Sequence, residues 1–591
     1  MAVLSGVLET LPRTDVMLEA FDRSGAPVTT VNGDEFLHAV QAFRRELRGW
    51  DVGERKAICL LYRPEETVEF LVAMIAAMAE RWTVVPLYPN WSAKIQRMYM
   101  ETYGLRAIIH GSGFRSRVAK WQSDRGAAPP FERVVEFSET ELQRVIENEP
   151  RTRLAPQDVP LADLPADHPC AWIFTSGTSG QLAKLTEISL ENLDAAVENI
   201  RDIDFLQAGM TLHSPLSTSH IFAFVVVLGI LSIRPRRVIF SDVQYLARLP
   251  QSKIGKVDGV ILVPIVINRM RATFYEKLEA ALDPRTVPPA LQRLARIPRP
   301  VRRHLKRMLQ RAEDAVIDME SSRRIGLRRR GAILTARRLF GRLFRERLGS
   351  PEFVVVGGAK PNLQAMAFME VMGVRCLQGW GMTETTGPLA VCRLGDRFRG
   401  AFGTCGFLFS GAEAQIADGE LIVSGPQVAR GYHEPNGNFT PFDGKKNTGD
   451  YAEFDPSGRL ILLGKASDRI TTENGLNYNP IPLEEQIQAQ DLQAQHLLEE
   501  VVVIGDGQPR LGAVFFLREG VEGSNGVDAY VQGALKTLNA SLPVDERIAA
   551  WAVSPTPFRD SGFLGPSGKL IRRLVEEEYA GIFTRATASA T

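Results

Sequence analysis

Short apolar runs alternate with amphipathic stretches along most of the chain. The runs at 84–87, 107–110, 259–263, 353–356 and 501–504 have the length and composition of buried strands, and apolar residues recur at helical spacing between them. Strands that alternate with helices predict an α/β protein with largely parallel sheets. The longest apolar run, IFAFVVVLGIL at 221–231, is shorter than the roughly 20 residues of a membrane-spanning helix. It therefore predicts a buried element.

The pattern changes around residue 450. Residues 447–464 contain two strand-like runs separated by Asp-Pro-Ser-Gly, which is the composition of a hairpin turn. About 125 residues follow with the pattern of a compact α+β unit, and a chain of 591 residues exceeds what one hydrophobic core usually supports. We predict a large N-terminal domain built on α/β sheets, residues 1–465, and a small α+β C-terminal domain, residues 466–591.

Cysteine usage indicates the redox environment, whereas net charge indicates little. Seventy basic residues nearly cancel 69 acidic ones. The five cysteines are scattered and never spaced as CxxC, which disfavours a disulfide framework or a zinc site. Reduced thiols in a cytoplasmic protein are the expectation.

One segment, residues 293–347, is strongly basic, with 18 Arg or Lys against five Asp or Glu. Apolar residues recur in it at helical spacing, as at Val301, Leu305, Met308 and Leu309. The pattern is that of a solvated basic helical face, or of a surface that attracts an anionic membrane, a CoA phosphate or an acidic carrier protein. Nucleic acid is not an expected partner, because no recognition motif is present.

Four polar or glycine-rich segments carry candidate chemistry. FTSGTSGQLAKL at 174–185 combines glycines and hydroxyls that suit phosphate oxygens, although a surface turn has a similar composition. QGWGMTETTG at 378–387 offers the ring of Trp380 for stacking on a base and the carboxylate of Glu384 for Mg²⁺. TGD at 448–450 offers a carboxylate to ribose hydroxyls, and PSGKLIRR at 566–573 offers a lysine to developing charge. Each of the last two is weak evidence when taken alone.

Taken in order, these segments resemble the core motifs of the adenylate-forming superfamily, which contains acyl-CoA synthetases, peptide-synthetase adenylation domains and luciferases. The matching segments are TSGTSG at 175–180, PLSTSHIF at 215–222, GGA at 357–359, GWGMTET at 379–385, TGD at 448–450, GKASDRI at 464–470 and SGKLIR at 567–572. Within the superfamily, FVVVGGAKPN at 353–362 and NGLNYNPIPLEE at 474–485 are most similar to the long-chain fatty acyl-CoA synthetases.

The resemblance implies an ATP site whose residues contact the phosphates, the base or the ribose: Thr175, Ser176, Gly177, Thr178, Lys184, Gly358, Ala359, Trp380, Asp450 and Lys465. The first four would hold the β- and γ-phosphates. Gly358 and Ala359 would border the adenine, Trp380 would stack on it, and Asp450 would hold the ribose hydroxyls.

The resemblance also implies the catalytic residues. Lys569 would bridge the carboxylate and the α-phosphate, Thr383 would touch the α-phosphate, and Glu384 would bind Mg²⁺. His220 would line the entrance for the carboxylate and its acyl chain. The C-terminal domain would be a mobile lid that swings about Ser467 after the first half-reaction.

The chain departs from the family pattern at three positions. Lys184 lies one residue late and the usual Pro before it is missing, Lys465 replaces an Arg, and Ser467 occupies a position that is usually Asp or Lys. The implied function is ATP-dependent activation of a carboxylic acid, with fatty acids favoured over aryl or amino acids, followed by transfer to CoA. The alternatives are transfer to the phosphopantetheine of a carrier protein, a catalytically weakened homologue that only binds acyl groups or nucleotide, and a peripheral membrane-binding module.

Overall fold

The structure is a computed structural model, and it describes most of the chain. The described residues are 17–22, 24–50, 56–123, 131–148, 164–175, 183–246, 254–280, 299–320, 325–396, 400–493, 497–518, 526–564 and 570–583. Of the sequence-predicted site residues, Ser176, Gly177, Thr178 and Lys569 lie outside these ranges.

The strands fall into two groups along the chain. Before the C-terminal domain they are β1 Met17–Phe21, β2 Pro27–Asn32, β3 Ala57–Leu61, β4 Thr83–Pro86, β5 Ala107–His110, β6 Arg133–Glu136, β7 Pro169–Phe174, β8 Leu185–Ser189, β9 Thr211–Ser214, β10 Arg237–Phe240, β11 Gly259–Leu262, β12 Phe353–Val356, β13 Arg375–Met382, β14 Gly387–Val391, β15 Phe407–Leu408, β16 Glu413–Ala417, β17 Glu420–Ser424, β18 Gly431–His433, β19 Phe439–Pro441, β20 Lys445–Phe454 and β21 Leu460–Lys465. After Ser467 they are β22 Ile470–Thr471, β23 Asn477–Tyr478, β24 Leu498–Ile504, β25 Leu511–Leu517 and β26 Ile548–Ser554.

The α-helices of the described residues lie mostly between strands. They are α1 Gly33–Leu47, α2 Thr67–Ala79, α3 Ala93–Tyr103, α4 Arg115–Ser123, α5 Glu139–Asn148, α6 Leu190–Arg201, α7 Ile221–Ser232, α8 Pro264–Ala280, α9 Arg299–Glu320, α10 Leu327–Ala336, α11 Arg342–Glu346, α12 Leu363–Met372, α13 Pro480–Gln493, α14 Val527–Ser541 and α15 Arg572–Tyr579. A π turn, Arg337–Gly341, joins α10 to α11.

Two large sheets form the N-terminal α/β domain. One has nine strands in the order β15-β14-β13-β12-β11-β9-β10-β1-β2, and the other has eight in the order β19-β18-β8-β7-β4-β3-β5-β6. The central strands of both pair in parallel. A four-stranded antiparallel sheet, β16-β17-β20-β21, follows. The predicted fold class and the hairpin at 447–464 are confirmed.

The main core lies between the two large sheets. It includes residues of both, such as Leu212 and Ile173, together with helices α2 and α7. Every residue of α2 is buried, and nearly every residue of α7 is buried. A helix enclosed on all sides is apolar on all sides, which explains the run at 221–231 and confirms that it is a buried element.

The C-terminal domain is a smaller α+β unit. Its three-stranded sheet has the order β24-β25-β26, and β25 pairs in parallel with β26. One side of the sheet packs with helices α13 and α14, and the other packs with α15.

The five cysteines are free and buried. Burial raises the pKa of all five thiols. For Cys392 it is raised to about 11. Among the described residues, no helix is both long and apolar enough to cross a bilayer.

Candidate active site

The carboxyl ends of strands from both large sheets meet at one place. The hydroxyl of Tyr88, just after β4, donates to the carbonyl oxygen of Phe174 at the end of β7, at 3.0 Å. The ring of Tyr88 lies 4.4 Å from that of His220, centroid to centroid, and His220 follows β9 of the other sheet. Ser219 Oγ also donates to the carbonyl of Leu87, at 3.0 Å. Ligands of open α/β sheets bind outside the carboxyl ends of the strands, so this junction is the candidate active site.

The glycine-rich segment begins and ends at this junction. The backbone N–H of Thr175 donates to the carbonyl of Lys184 at 2.9 Å, and the N–H of Lys184 donates to Thr175 Oγ1 at 3.2 Å. These two bonds extend the antiparallel pairing of β7 with β8. The ends of the segment are thus held together beside Phe174 and Tyr88.

The segment predicted to border the adenine lies at the same edge. Val356 at the end of β12 is paired with Gln378 of β13, and Gly358 and Trp380 each follow this pair by two residues along their own chain segments. Gly358 has φ +87°, a conformation that favours glycine, and its backbone is exposed. A Cβ at Gly357 would lie 3.0 Å from the ring of Phe222, which places the start of α7 next to this turn.

The ring of Trp380 is largely enclosed. Its side chain is 7% exposed and belongs to a buried cluster with Leu389, Cys405 and Ala452. Stacking on a base stays a prediction for this residue.

Glu384 lies in a single 3₁₀ turn, Thr383–Thr385, that follows β13. It is 7% exposed, and the hydroxyl of Tyr432 donates to its Oε1. Its carbonyl oxygen accepts from the N–H of Ala429 at 2.9 Å, which fixes the turn against the chain that leads to β18. Thr383, half-buried, begins the turn.

The surroundings of Glu384 suit Mg²⁺ that arrives on a nucleotide. The described residues contain no group of three or more His, Cys, Asp or Glu side chains that could hold a metal ion by themselves. Mg²⁺ usually keeps several waters and binds through one or two carboxylates and the phosphates of the substrate. A single carboxylate near the segment predicted to bind phosphate therefore fits this ion.

Two lysines surround the tyrosine that contacts Glu384. The Nζ atoms of Lys184 and Lys446 lie 4.9 and 4.8 Å from the ring centroid of Tyr432. Lys184 Nζ also contacts Glu434 Oε1 at 2.9 Å. Burial, followed by the charge of Glu384, raises the pKa of Tyr432, so its hydroxyl remains a donor. Despite its shifted position in the sequence, Lys184 belongs to the group around Glu384.

The other lysine of this group is itself partly desolvated. Burial lowers the pKa of Lys446, the nearby charge of Lys184 lowers it further, and the carboxylate of Glu384 opposes both. The charged form of a partly desolvated lysine is stabilised by a nearby anion such as a phosphate. The group would thus neutralise part of the charge of a bound phosphate.

Asp450 and Lys465 face each other across the hairpin of β20 and β21. They are register partners, and Lys465 Nζ lies 2.7 Å from Asp450 Oδ1. Asp450 is 4% exposed, and its Oδ2 has no hydrogen-bond partner among the described residues. The lysine that replaces the family's arginine therefore still holds one carboxylate oxygen, and the other is enclosed without a described partner. Contact with a ribose hydroxyl stays a prediction for this residue.

The predicted hinge lies just after this pair. Ser467 is exposed in a short turn, Ala466–Asp468, between β21 and β22. Burial raises the pKa of Asp468, and the charges that act on it include Arg572, Lys465 and Asp450. Lys569 lies outside the described residues. Leu564 and Leu570, which flank its segment, form an antiparallel bridge.

Sequence reasoning missed Tyr432, Lys446 and Glu434. Tyr432 contacts Glu384 only because β18 pairs with β8 and thereby enters the sheet next to the glycine-rich segment. Nothing in the local sequence predicts this long-range pairing. For Lys446, its place just before the TGD segment, at the start of a strand-like run, was the available signal.

Comparison with known proteins identifies the family. The sequence model of the AMP-binding enzymes matches residues 19–433, and that of the AMP-binding enzyme C-terminal domain matches residues 467–589. The chain belongs to the AMP-binding enzyme family. The resemblance to the adenylate-forming superfamily is confirmed, and the protein is an AMP-forming acid–thiol ligase.

Individual relatives and solved structures are similar to this chain over most of its length. The long-chain-fatty-acid–CoA ligase FadD15 of Mycobacterium bovis is 26% identical over 562 residues, which cover 90% of this chain and 88% of the relative. The long-chain-fatty-acid–[acyl-carrier-protein] ligase AEE15 of Arabidopsis thaliana is 23% identical and covers 70% of this chain and 61% of its own length. The ATP-bound structure of MatB from Rhodopseudomonas palustris has the same fold, with a TM-score of 0.67, 18% identity and coverage of 98% and 99%.

Proposed function

We propose that this AMP-binding enzyme activates a long-chain fatty acid with ATP and transfers the acyl group to CoA. The observation that carries the fatty acid is the similarity to a long-chain-fatty-acid–CoA ligase, which is 26% identical and covers 90% of this chain. The exposed His220, next to the start of helix α7 and the adenine-side turn, would border the entrance for the acid.

In the first half-reaction a carboxylate oxygen attacks the α-phosphorus of ATP, and the bond to pyrophosphate breaks. The protein contributes positioning and charge neutralisation. Glu384 would hold Mg²⁺, which neutralises phosphate charge when bound. Lys184 and Lys446 would face the phosphates, and Asp450 would accept from the ribose hydroxyls.

Lys569 and Thr383 complete the proposal. Lys569 would hold the attacking carboxylate against the α-phosphate, and Thr383 would donate to that phosphate. The C-terminal domain, from residue 466 onward, would then turn about Ser467, remove Lys569 and admit the thiol. Closure by a few hinge residues is a known form of domain motion.

A carrier protein is the second candidate acceptor. The relative AEE15, whose name specifies an acyl-carrier-protein acceptor, matches 70% of the chain. The thiol of phosphopantetheine is the reacting group both in CoA and in such a carrier, so the same acyl adenylate serves either.

A panel of fatty acids of increasing length, with ATP, tests the acid and the acceptor together. Each acid is assayed for pyrophosphate release with CoA, with carrier protein and with neither. Acid-dependent pyrophosphate release and a thioester with CoA are expected. If thioester forms only on the carrier protein, the carrier protein is the acceptor instead of CoA. If no acid causes pyrophosphate release, the protein is a weakened homologue that only binds acyl groups or nucleotide.

The alternation about Ser467 has its own test. Lys569→Ala is expected to reduce acyl-AMP formation by about 10² to 10³, the size of a preorganised charge contact. Supplied with presynthesised acyl-AMP and a thiol, the same variant should form thioester at nearly the wild-type rate. An equal loss in both half-reactions would show that Lys569 is structural.

A further inference from the structure

The helical segment of residues 327–347, formed by α10, the π turn and α11, has one face of exposed leucines. Leu327 is 86% exposed, Leu334 65%, Leu343 64% and Leu339 49%. By contrast, the apolar repeat in α9, which includes Met308 and Leu309, faces the protein interior, because Leu309 is fully buried. The unusual apolar surface therefore belongs to the second half of the basic segment.

The π turn brings these leucines onto one face. In an uninterrupted α-helix Leu343 would lie about 160° around the axis from Leu327, on the opposite side. A π turn adds one residue, which turns the following chain back by about 100° and returns Leu343 to the side of Leu327 and Leu334. The opposite side is held by the rings of Phe340 and Phe344, which pack against Phe274.

The neighbouring helix α12 fixes the π turn in place. Arg337 donates to the carbonyl oxygens of Glu370 and Val371 in the last turn of α12. At Gly341 a Cβ would lie only 2.7 Å from the carbonyl oxygen of Met372, so a larger residue does not fit there. The leucine face is thus held by packing against the core of the domain.

Exposed arginines surround the leucines. Residues 327–347 contain eight arginines and one acidic residue, Glu346. The exposed ones are Arg328, Arg330, Arg338, Arg342 and Arg347. Among the described contacts, only Arg342 of these five pairs with a carboxylate, that of Glu346 at 2.8 Å. An apolar face bordered by cations is the composition of a helix that lies in the interface of an anionic membrane.

We propose that residues 327–347 form a docking face for an anionic lipid surface, with the leucines inserted at the level of the headgroups and the arginines on the phosphates. A second copy of the chain fits less well, because the same face on both copies would bring like charges together. Leu327, at 86% exposed, stands out from the surface, which suits insertion into lipid better than a contact with a folded protein. The proposal is independent of the acid and the acceptor proposed above.

The test is co-sedimentation of the full chain with vesicles of phosphatidylcholine alone and of phosphatidylcholine mixed with phosphatidylserine. Binding to the mixed vesicles only, weakening as salt is raised, is expected. The triple variant Leu327→Ser, Leu334→Ser, Leu343→Ser should lose at least tenfold in binding while its activity on a soluble acid is unchanged. The triple variant Arg328→Gln, Arg330→Gln, Arg338→Gln should lose about 10²-fold, because each arginine near an anionic surface contributes a factor of about five.

Matched variants elsewhere on the surface serve as controls. Exposed leucines are replaced in Leu394→Ser, Leu463→Ser, Leu476→Ser, and exposed arginines in Arg106→Gln, Arg144→Gln, Arg201→Gln. Neither control should change binding. Three results would overturn the proposal: no binding to mixed vesicles, equal losses in test and control variants, or a dimer in sedimentation equilibrium that the leucine variant abolishes. Capture of an acidic acyl carrier protein without vesicle binding would also overturn it and would assign the face to that protein.

Discussion

At the scale of single residues, Glu384 depends on side chains from distant parts of the chain. Tyr432 donates to it, and Lys184 and Lys446 approach the ring of that tyrosine. The carboxylate is thus oriented by a neutral donor, and among the described contacts no ion pair involves it. We expect this arrangement to leave the carboxylate available to a metal ion.

Replacing the charge of Glu384 should slow the first half-reaction. Glu384→Gln keeps the size of the side chain and is expected to reduce the adenylation rate by about 10² or more, as lost electrostatic stabilisation does. Pyrophosphate release at limiting Mg²⁺ measures it. Glu453→Gln, at an exposed glutamate, is the control. Wild-type turnover of Glu384→Gln under these conditions would refute the metal assignment.

Lys446 should matter for nucleotide binding more than for stability. Because burial lowers its pKa, Lys446→Met removes a partly desolvated cation and should not lower the free energy of unfolding. The KM for ATP should rise about tenfold, which corresponds to about 1.4 kcal/mol. In the wild type, the KM for ATP should rise as the pH is raised. This rise should come at a lower pH than the titration of exposed lysines, because the lowered pKa of Lys446 means that it loses its charge first.

The neighbouring exposed residue gives the control for that change. Lys445→Met removes the same charge one position away, on the solvent side of β20. Its KM for ATP should stay near the wild-type value. Equal effects of the two substitutions would mean that Lys446 acts through general electrostatic attraction.

At the scale of elements, the first residue of α15 fastens that helix to the rest of the C-terminal domain. The buried guanidinium of Arg572 donates to both carboxylate oxygens of Glu484 in α13 and to the carbonyl of Val503 in β24. Arg572 follows Lys569 by three residues. The same contacts therefore anchor the described chain that follows the proposed catalytic lysine.

Breaking this anchor should destabilise the domain strongly. Arg572→Met leaves Glu484 buried without its partner and is expected to cost about 3–5 kcal/mol of unfolding free energy. Adding Glu484→Gln should recover much of the loss, because the amide oxygen can still accept from the N–H of Val503, at 2.7 Å in the wild type. Denaturant unfolding measures both. Arg573→Met, at the exposed next residue, should change stability by less than about 0.5 kcal/mol, and a loss as large as that of Arg572→Met would contradict the anchor.

Elements with a clear hydrophobic pattern could be predicted from the sequence, and those that depend on packing could not. The strands at 107–110 and 353–356 are apolar runs between polar segments, and their bounds agree with the structure. The run at 221–231 could be predicted only as buried, because a helix enclosed on all sides shows no amphipathic period. The π turn 337–341 gives no local signal, since it depends on packing against the distant helices α8 and α12.

The candidate site divides in the same way. The phosphate and ribose segments were predicted from their glycines, hydroxyls and carboxylates, whereas the adenine role of Gly358 and Ala359 was implied by the family resemblance. The structure places the described ends of the phosphate segment and the turn at Gly358 after the ends of strands, and Asp450 within β20. Tyr432 was not predicted, because its contact with Glu384 depends on which strand β18 joins. Strand pairing across more than two hundred residues is not encoded in any local pattern.

At the scale of the whole molecule, each domain contains a buried carboxyl group with a raised pKa. In the N-terminal domain, burial raises the pKa of Glu69 to about 7. A hydrogen bond that Thr29 Oγ1 donates to Glu69 acts in the opposite direction and lowers this pKa. In the C-terminal domain, burial and then the charge of Glu484 raise the pKa of Glu500 to about 8. Both groups are protonated in the folded protein at mildly acidic pH.

These two groups should make the enzyme less stable as the pH rises. Their contribution is fully present below the unfolded pKa of 4.5 and is lost as the pH rises through about 7 for Glu69 and about 8 for Glu500. Thermal unfolding between about pH 5 and pH 9 should show this decline. Glu69→Gln and Glu500→Gln should each remove one part of it, and Glu453→Gln should remove none. A decline that survives in both buried variants would refute the assignment.

The buried cysteines have a chemical consequence for an enzyme that prepares acyl groups for thiols. An acyl adenylate acylates any thiolate that it meets, and all five cysteines of this chain are enclosed and have raised pKa values. Neither access nor ionisation favours attack by the protein's own sulfur atoms. The activated acyl group is therefore kept for the external thiol, and the enzyme should keep its activity after treatment with an alkylating reagent that is removed before the external thiol is added.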